Sequence, residues 1–409
     1  MRLNQGGTLV PEATEPAVIE VSRRRSGFGP APDVEAVRDG AGIVRVPTPF
    51  GPPAWLLTRH EDVRRMLGDT TVFSNGWTTA DLVGGATRDP RHLSGDGSGN
   101  LLSMDPPEHN RLRRMLTPEF TVRRMRRMEP RITEIVDEHL DLLERHGSPA
   151  DLVSQYALPI PSLVICELLG VPVADRDEFQ ERTREQLDLT VSDDDKVELG
   201  RAAQAYMTDL VERARRDPGD DLIGMMIREH DDELTNAELI GVANLLLVAG
   251  HETTSNMLGL GTLALLRHPD QLAAVRDDPE SVPGAVEELM RWLSVVNSGS
   301  PRLATRDVEL GGVTIRRGDL VSFNLPAANR DPGLVEDPER FDIARPAAPH
   351  LGFGHGIHHC LGAPLARMEM RIAFPALLRR FPTLRLADEE VAWAGDHAIY
   401  GLKELPVTW

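Results

Sequence analysis

The sequence predicts a mainly α-helical fold with a small β-sheet region. Three long stretches, 132–143, 152–169 and 196–216, carry apolar residues at helical spacing. A fourth begins at the capping box Thr235-Asn236-Ala237-Glu238 and continues to His268-Pro269. At 1.5 Å per residue this helix would be about 48 Å long, so it would cross the whole molecule. The strand patterns are short by comparison.

Two strands are predicted near the N-terminus, at 42–46 and 54–58, where apolar residues alternate or run together. A further strand at 300–304 precedes a hairpin over 308–315, because Gly311-Gly312 suits a two-residue turn. These segments account for the predicted sheet region.

Shorter helices are predicted at 60–67, from Asp105 onward and at 175–188. Residues before about Pro30 are expected to be loosely ordered. The stretch 75–102 is rich in Gly, Asp and Ser and lacks periodicity, which predicts a long loop.

The composition limits the class of protein. The 409 residues contain no obvious linker or repeat, so 1–409 is expected to form one domain and to act as a monomer. A net charge of −19 argues against binding to nucleic acid or anionic membranes. No apolar run approaches the roughly 20 residues that a bilayer requires, and two distant cysteines give no disulfide framework. A cytoplasmic protein is therefore expected.

The stretch 353–362, Phe-Gly-His-Gly-Ile-His-His-Cys-Leu-Gly, contains one of the two cysteines, Cys360. Glycines allow a tight loop, and Pro364 is tolerated in the first turn of a following helix. The N–H groups at that helix start would stabilise a thiolate, the form that binds metals. The adjacent His and Cys residues do not match the paired spacing of zinc sites, and the glycine spacing does not match a dinucleotide-binding loop. Cys166, in an apolar helical run, is expected to be an inert core residue.

The pattern Phe353-Gly-x-Gly-x-His358-x-Cys360-Leu-Gly362 resembles the haem-binding loop of the cytochrome P450 family. The resemblance implies the cytochrome P450 fold, haem b as cofactor and Cys360 as the ligand of its iron. It also implies that Phe353 shields the sulfur, that His358 reaches a haem propionate and that Gly362 borders the haem.

The middle of the long helix reads Ala249-Gly250-His251-Glu252-Thr253-Thr254. A glycine inside a helix costs roughly 1 kcal/mol relative to alanine, although a core helix can tolerate one. Thr253 can bond back to the carbonyl of Ala249 and bend or open the helix. The segment resembles the oxygen-binding motif of the family, which implies that Ala249 and Gly250 border the haem. Thr253 would then hydrogen-bond the bound dioxygen, and Glu252 would relay protons from solvent.

Three further residues resemble the family's partners for the haem propionates: His109, Arg113 and Arg302. His109 and Arg113 are four apart on one helix face, a spacing that surface charge also shows. Glu288 and Arg291 resemble the family's buried Glu-x-x-Arg pair, which Arg345 would complete as a structural triad. Such pairs are otherwise weak surface salt bridges.

The substrate pocket is predicted from helical spacing and from the resemblance. Residues at helical spacing on the face of Thr253 are Val242, Leu246, Ala249 and Met257. Asn244 falls half a turn away and is not assigned to the substrate. The resemblance implies that two further segments line the pocket. They are residues 295–299, which include Val295 and Val296, and the turn Ala398-Ile399-Tyr400. It also implies that the helix pair flanking 189–194 acts as a lid.

A cluster of arginines follows the helix of His109: Arg111, Arg113, Arg114, Arg123, Arg124, Arg126, Arg127 and Arg131. Only Glu119 and Glu129 oppose them, which gives a local charge of +6. A solvated surface is the simpler interpretation. Because the same helix would lie against the haem, we predict that an acidic ferredoxin docks here.

The function predicted from these motifs is insertion of one oxygen atom from O2 into an organic substrate. Electrons would come from NAD(P)H through a ferredoxin reductase and the ferredoxin. A peroxide-driven haem-thiolate enzyme and a zinc-stabilised ligand-binding protein are the alternatives. Stand-alone enzymes of this family often tailor secondary metabolites such as polyketides, macrolides or peptides. The sequence leaves hydroxylation, epoxidation and ring coupling open.

Overall fold

The computed structural model describes residues 2–3, 9–10, 25, 27–48, 52–77, 98–176, 193–395 and 399–409. The α-helices of this part of the chain are α1 (Pro32–Asp39), α2 (His60–Gly68), α3 (Glu108–Leu116), α4 (Val122–Met125), α5 (Glu129–His146), α6 (Pro159–Leu169), α7 (Asp193–Arg216), α8 (Leu222–His230), α9 (Asn236–Leu266), α10 (Pro269–Asp277), α11 (Ser281–Leu293), α12 (Leu325–Asn329) and α13 (Ala363–Arg380). The predicted mainly helical fold is confirmed.

The strands are short. They are β1 (Arg2–Leu3), β2 (Leu9–Val10), β3 (Ile43–Val46), β4 (Ala54–Leu57), β5 (Phe73–Ser74), β6 (Ala150–Asp151), β7 (Arg302–Ala304), β8 (Val308–Leu310), β9 (Val313–Ile315), β10 (Leu320–Phe323), β11 (Arg385–Leu386) and β12 (Pro406–Thr408). The main sheet has the order β3-β4-β10-β7-β5, in which only β4 and β10 pair in parallel. A second sheet has the order β11-β12-β6, and β8 and β9 form the predicted Gly-Gly hairpin.

The predicted long helix is α9, which has 31 residues and is about 46 Å long. Its capping box is present: Glu238 N donates to Thr235 Oγ1 at 3.2 Å, and Thr235 N donates to Glu238 Oε2 at 3.0 Å. The helix packs against α6, α7, α11 and α13. The largest core cluster unites these helices with α3 and α5. None of the helices in the described residues is both long and apolar enough to cross a membrane.

Prolines explain two differences between the predicted and observed helix boundaries. The stretch 152–169 was expected to be one helix, but a π-helical turn over Val153–Ala157 precedes α6. Pro159 and Pro161 have no N–H to donate, so a new α-helix begins where the prolines fall in its first turn. Similarly, α3 begins at Glu108, after Pro106-Pro107, instead of at Asp105.

Other expectations fall on parts of the chain that are only partly described. Residues 177–192, with most of the predicted 175–188 helix and its link, lie outside the described residues, as do 78–97 of the predicted long loop and Ala398. Near the N-terminus, Arg25 is buried and Phe28 packs on Trp292, in contrast to the loose order expected before Pro30.

Candidate active site

The loop that carries Cys360 is closed by its own backbone. Cys360 N donates to Phe353 O at 2.8 Å, and Gly354 N donates to Leu351 O at 2.8 Å. Gly354 and Gly356 have φ angles of 70° and 72°, the left-handed region that favours glycine. The residue types therefore fit a loop that turns back on itself around the cysteine.

Two helices that are distant in sequence, α2 and α11, pack against this loop. A Cβ at Gly356 would lie 2.6 Å from Leu67 O in α2, and one at Gly352 would lie 2.8 Å from Met290 O in α11. Both atoms are backbone oxygens of a helix and cannot shift easily to make room for a side chain. Positions 352 and 356 therefore require glycine. At Gly362 the nearest atom to such a Cβ is Cys360 Sγ, at 4.0 Å, which leaves space beside the sulfur.

The Cys360 side chain is exposed in the protein chain and lies beside groups that favour its ionised form. Desolvation by the surrounding protein raises the pKa of the thiol, whereas the N–H groups of Gly362 and Ala363 and the guanidinium groups of Arg113 and Arg367 lower it. The predicted contribution of the N–H groups at the helix start is therefore present. A coordinated metal ion would deprotonate the thiol outright.

Phe353 belongs to a cluster that the sequence did not reveal. The guanidinium of Arg367 lies over the Phe353 ring, 4.3 Å from its centroid. Glu287 accepts two hydrogen bonds from Arg367, at 2.7 and 2.8 Å, and its Oε2 lies 3.2 Å from His350 Nε2. Burial opposes ionisation of the Glu287 carboxyl, but these hydrogen bonds lower its pKa to about 2. A fixed positive charge thus stands beside the cysteine loop.

A group of hydrogen-bond donors lies next to the loop. The ring centroids of His109 and His358 are 4.4 Å apart, and His358 Nε2 is 2.7 Å from Asn75 Nδ2. Burial and the nearby charge of Arg302 lower the pKa of His358 to about 3, so its ring is neutral at physiological pH. The Asp105 carboxylate positions Asn75 by accepting from the Asn75 backbone N–H at 2.9 Å. Asn75 and Asp105 were not predicted, because only the tertiary structure brings them here.

Several buried polar atoms of this group have no hydrogen-bond partner in the part of the chain that the structure describes. Among the described residues, His109 Nε2 and Arg302 Nε and NH1 make no hydrogen bond, and burial lowers the pKa of Arg302 to about 10. Arg113 differs, since its NH2 donates to His359 O at 2.7 Å. Buried donors left unpaired cost free energy, and a cationic fork suits a carboxylate. The cluster therefore fits a cofactor with carboxylate groups beside Cys360, as haem has.

The central turn of α9 has the predicted side-chain bond. Thr253 Oγ1 donates to Ala249 O at 2.7 Å, yet the helix continues without a break, so the expected opening is not observed. Gly250 has a packing role, because a Cβ there would lie 3.0 Å from Ile165 Cδ1 in α6. The space that a side chain at position 250 would need is thus occupied by α6, whereas Ala249 is exposed.

Glu252 is buried and is held by a residue one turn later. Asn256 Nδ2 donates to Glu252 Oε2 at 3.1 Å and to Glu252 O at 2.9 Å. The side chain of Asn256 also lies against Gly401, where a Cβ would be 1.5 Å from Asn256 Oδ1. Asn256 was missed in the sequence, although its spacing of four residues from Glu252 is the signal that could have identified it.

The predicted pocket residues fall into two groups. Val242, Leu246 and Met257 are buried along α9. The segments of Val295 and Val296 and of Ile399 lie side by side, because Val296 forms a β-bridge with Ile399 and Tyr400 N donates to Val295 O at 2.8 Å. Asn244, which is not among the predicted pocket residues, donates from Nδ2 to Gln204 Oε1 of α7 at 3.3 Å.

The predicted triad is joined as expected in geometry. Glu288 accepts from Arg291 Nε at 2.7 Å and from Arg291 NH2 at 2.8 Å, and both side chains are buried. Arg345 Nε lies 3.4 Å from Glu288 Oε1. Arg291 also donates to Asn329 O at 2.9 Å, which ties α11 to α12.

The basic cluster is partly neutralised by the chain itself. Arg111 pairs with Glu238, Arg124 with Glu119 at 2.7 Å, and Arg131 with Glu167 at 3.1 Å. The four arginines that are exposed are Arg114, Arg123, Arg126 and Arg127. Val122, 58% exposed, lies beside them. This group of four arginines and Val122 is called the basic surface below.

Glu369 in α13 predicts a specific dependence of stability on pH. The side chain is buried, its Oε2 has no hydrogen bond among the described residues, and burial raises its pKa to about 8 from an ordinary 4.5. Above pH 4.5 the unfolded chain releases this proton while the native chain holds it. The stabilising contribution is therefore complete below about pH 4.5 and is lost as the pH rises towards 8.

We expect Glu369→Gln to remove this dependence, because the amide stays neutral. Chemical denaturation at about pH 5 and about pH 8 should show a smaller loss of stability in the variant than in the wild type. The exposed Glu389→Gln serves as the control and should behave as the wild type. Equal losses in all three proteins would contradict the assignment to Glu369.

Comparison with known proteins decides the family. Residues 176–392 match the family model described as Cytochrome P450. "Cytochrome P450 FAS1" of Rhodococcoides fascians is 47% identical over 395 residues, which is 96% of this chain and 99% of that protein. The chain belongs to the cytochrome P450 family. As a cytochrome P450 it binds haem b and is a monooxygenase that inserts one oxygen atom from O2 into an organic substrate. Its electrons come from NAD(P)H through redox partners.

Two further relatives of this cytochrome P450 are informative. "Mycinamicin IV hydroxylase/epoxidase" of Micromonospora griseorubida is 43% identical over 373 residues, 90% of this chain and 92% of that protein. The structure of "P450 StaH from glycopeptide antibiotic A47934 biosynthesis" has a TM-score of 0.86 and 46% identity, and the match covers 95% of this chain and 100% of StaH. In the described residues, no group of three or more His, Cys, Asp or Glu side chains could hold a metal ion.

Proposed function

We propose that this cytochrome P450 tailors a secondary metabolite, a polyketide, macrolide or peptide, by hydroxylation or epoxidation. The support is the similarity to one protein named as a mycinamicin IV hydroxylase/epoxidase and to another from glycopeptide antibiotic biosynthesis. Both match nearly the whole chain, so the likeness includes the regions around the proposed site.

The observation that carries the site assignment is that His109 Nε2 and Arg302 Nε and NH1, buried beside the cysteine loop, have no hydrogen-bond partner among the described residues. Cys360 is proposed to be the residue that would ligate the iron, with Phe353 shielding the sulfur and Gly362 leaving space beside it. His109, Arg113, Arg302 and His358 are proposed to hold the propionates. Glu288, Arg291 and Arg345 keep α11 and the segment after it in place and take no part in the chemistry.

Haem bound in this site supplies the activation of dioxygen, and the chain supplies position and protons. Thr253 Oγ1 donates a hydrogen bond to Ala249 O, so its lone pairs remain available to accept a further hydrogen bond. Glu252 is the proposed proton donor, and Asn256 fixes its Oε2. The pocket walls are Val242, Leu246, Ala249, Met257, Val295, Val296 and Ile399, which keep water away from the reacting carbon.

The function is tested by an optical spectrum of the reduced protein with carbon monoxide and by turnover assays. We expect the haem-thiolate absorption band, and product with NAD(P)H, a ferredoxin, its reductase and O2 that exceeds product with hydrogen peroxide. In Thr253→Ala the product formed per NAD(P)H should fall by about tenfold or more, because proton delivery is impaired. Thr262→Ala is the matched control, since Thr262 makes the same bond to Leu258 O, at 2.8 Å, elsewhere in α9. Faster turnover with peroxide, unaffected at Thr253, would favour a peroxide-driven enzyme.

We propose that the basic surface receives an acidic ferredoxin, reduced in turn by a ferredoxin reductase. Its four arginines have exposed side chains in a protein of net charge −19, and Val122 adds an apolar contact. Charge complementarity of this kind mainly accelerates association. The protein is further proposed to be a cytoplasmic monomer in which 1–409 form one domain.

Charge reversal at Arg126 is expected to slow reduction of the iron by about fivefold under subsaturating ferredoxin, without changing substrate affinity. Stopped-flow reduction kinetics measure this effect. Arg145→Glu is the control, because Arg145 lies in the last turn of α5, about 24 Å along the helix from Glu129. Arg111 and Arg124 suit this test less well, since their replacement also removes internal ion pairs. Unchanged kinetics in Arg126→Glu would exclude the basic surface as the docking site.

A further inference from the structure

Arg25 is a buried cation that is bound by neutral groups. It is 6% exposed, and burial lowers the pKa of its guanidinium to about 9. Its NH2 donates to Phe28 O at 2.6 Å and Leu293 O at 2.8 Å, and its NH1 to Ser294 O at 3.0 Å and Asn297 Oδ1 at 3.3 Å. No carboxylate in the described part of the chain pairs with it. A buried charge with no counter-ion among the described residues is costly, so its presence needs a reason.

Its acceptors lie where α11 ends and the proposed pocket wall begins. Leu293 is the last residue of α11, and Ser294 follows it with a φ of 45°, in the left-handed region. Carbonyls at a helix C-terminus lack partners within the helix, and a guanidinium satisfies them well. The Arg25 side chain therefore fixes the direction in which the chain leaves α11 towards Val295 and Val296.

The same guanidinium lies on the second wall segment. It is 4.1 Å from the centroid of the Tyr400 ring, and Tyr400 follows Ile399. Tyr400 OH donates to Gly27 O at 2.8 Å, two residues after Arg25. Tyr400 N in turn donates to Val295 O at 2.8 Å, so one side chain contacts both segments at the point where they pair.

We propose that Arg25 is a positioning residue that sets the spacing of the two pocket walls, at 295–297 and 399–400, and thereby the selectivity for large substrates. This inference rests on the pocket assigned under the proposed function. Arg25 contacts no proposed cofactor partner, and it acts only through the wall residues.

A general role in anchoring the N-terminal segment is served by other contacts. Phe28 packs on Trp292, with ring centroids 4.7 Å apart, and its carbonyl also accepts from Arg330 NH2 at 2.9 Å. Neither contact involves the Arg25 side chain. The expected consequence of its loss is therefore local, at the end of α11 and at Tyr400.

The test compares two azoles that bind haem iron and differ in size. Imidazole reports access to the iron alone, whereas clotrimazole must also fit between the pocket walls. Both are titrated optically into the ferric wild type, Arg25→Met, Arg25→Lys and Arg38→Met. Arg38 is the matched control: it is another buried arginine near the N-terminus, but it bonds to Asp39 and Glu339.

We expect Arg25→Met to weaken clotrimazole binding by about tenfold while the imidazole dissociation constant changes by less than about twofold. Arg25→Lys should lie between this variant and the wild type, and Arg38→Met should match the wild type with both azoles. Clotrimazole binding that is unchanged in Arg25→Met, or an equal loss for both azoles, would overturn the proposal. If Arg25→Met does not fold, Arg25→Lys is used instead. The deciding quantity is then the change in its clotrimazole dissociation constant divided by the change in its imidazole dissociation constant. A wild type that shows no spectral change with imidazole would instead contradict the proposed haem site itself.

Discussion

Replacement of Cys360 by alanine is expected to reduce monooxygenase turnover by more than about a thousandfold and to abolish the haem-thiolate band in the reduced carbon monoxide spectrum. The sulfur is the proposed ligand of the haem iron, and an anionic sulfur ligand would supply the electron density that oxygen activation requires. The loop itself should survive the change, because its closure depends on backbone hydrogen bonds and on glycines packed against α2 and α11. Haem content, the spectrum and product formation are the three measurements.

Cys166→Ala is the matched control for this variant. Cys166 is fully buried in α6, and burial raises the pKa of its thiol to about 12, so it stays neutral and unreactive. Its loss should cost about 1 kcal/mol of stability and leave the spectrum unchanged. A Cys360→Ala protein that remained active, or a Cys166→Ala protein that lost the band, would refute the assignment of the ligand.

Glu288→Gln is expected to lower the free energy of unfolding by roughly 3–5 kcal/mol, because it leaves the buried Arg291 guanidinium without its charge partner. Arg291 is 1% exposed and bonds to both oxygens of Glu288. The Met290–Gly352 contact joins α11 to the cysteine loop, so haem retention should fall together with stability. Denaturant unfolding and the ratio of haem to protein after gel filtration measure the two effects.

Arg201→Ala provides the comparison at the same helical spacing. Arg201 and Glu198 are also three residues apart, but their side chains are 75% and 77% exposed, so solvent screens the pair. No measurable loss of stability or haem is expected. If Glu288→Gln were as stable as Arg201→Ala, the buried triad would not have the structural role proposed for it.

The sequence predicted those features that depend on local spacing. The capping box at Thr235, the bond from Thr253 to Ala249 and the Glu288–Arg291 pair each join residues within four positions of one another. The hairpin at Gly311-Gly312 likewise depends on residues that are close in sequence, since both glycines adopt positive φ angles. Helix boundaries were missed where prolines interrupt the donor pattern.

The missed residues reach the site from distant parts of the chain. Asn75 meets His358, and Arg25 meets Ser294, across 283 and 269 positions of sequence. A single sequence contains no periodicity that links such residues.

The internal pairing of Arg111, Arg124 and Arg131 limits the distance over which the whole arginine cluster at 111–131 attracts a partner in salt solution. Each of these cations lies within 4 Å of a carboxylate of its own chain, so the pair acts at longer range as a weak dipole. At 0.1 M ionic strength, the electrostatic potential of the four exposed arginines of the basic surface decays over about 10 Å. Added salt should therefore slow electron transfer from the ferredoxin less steeply than it would if all eight arginines were unpaired.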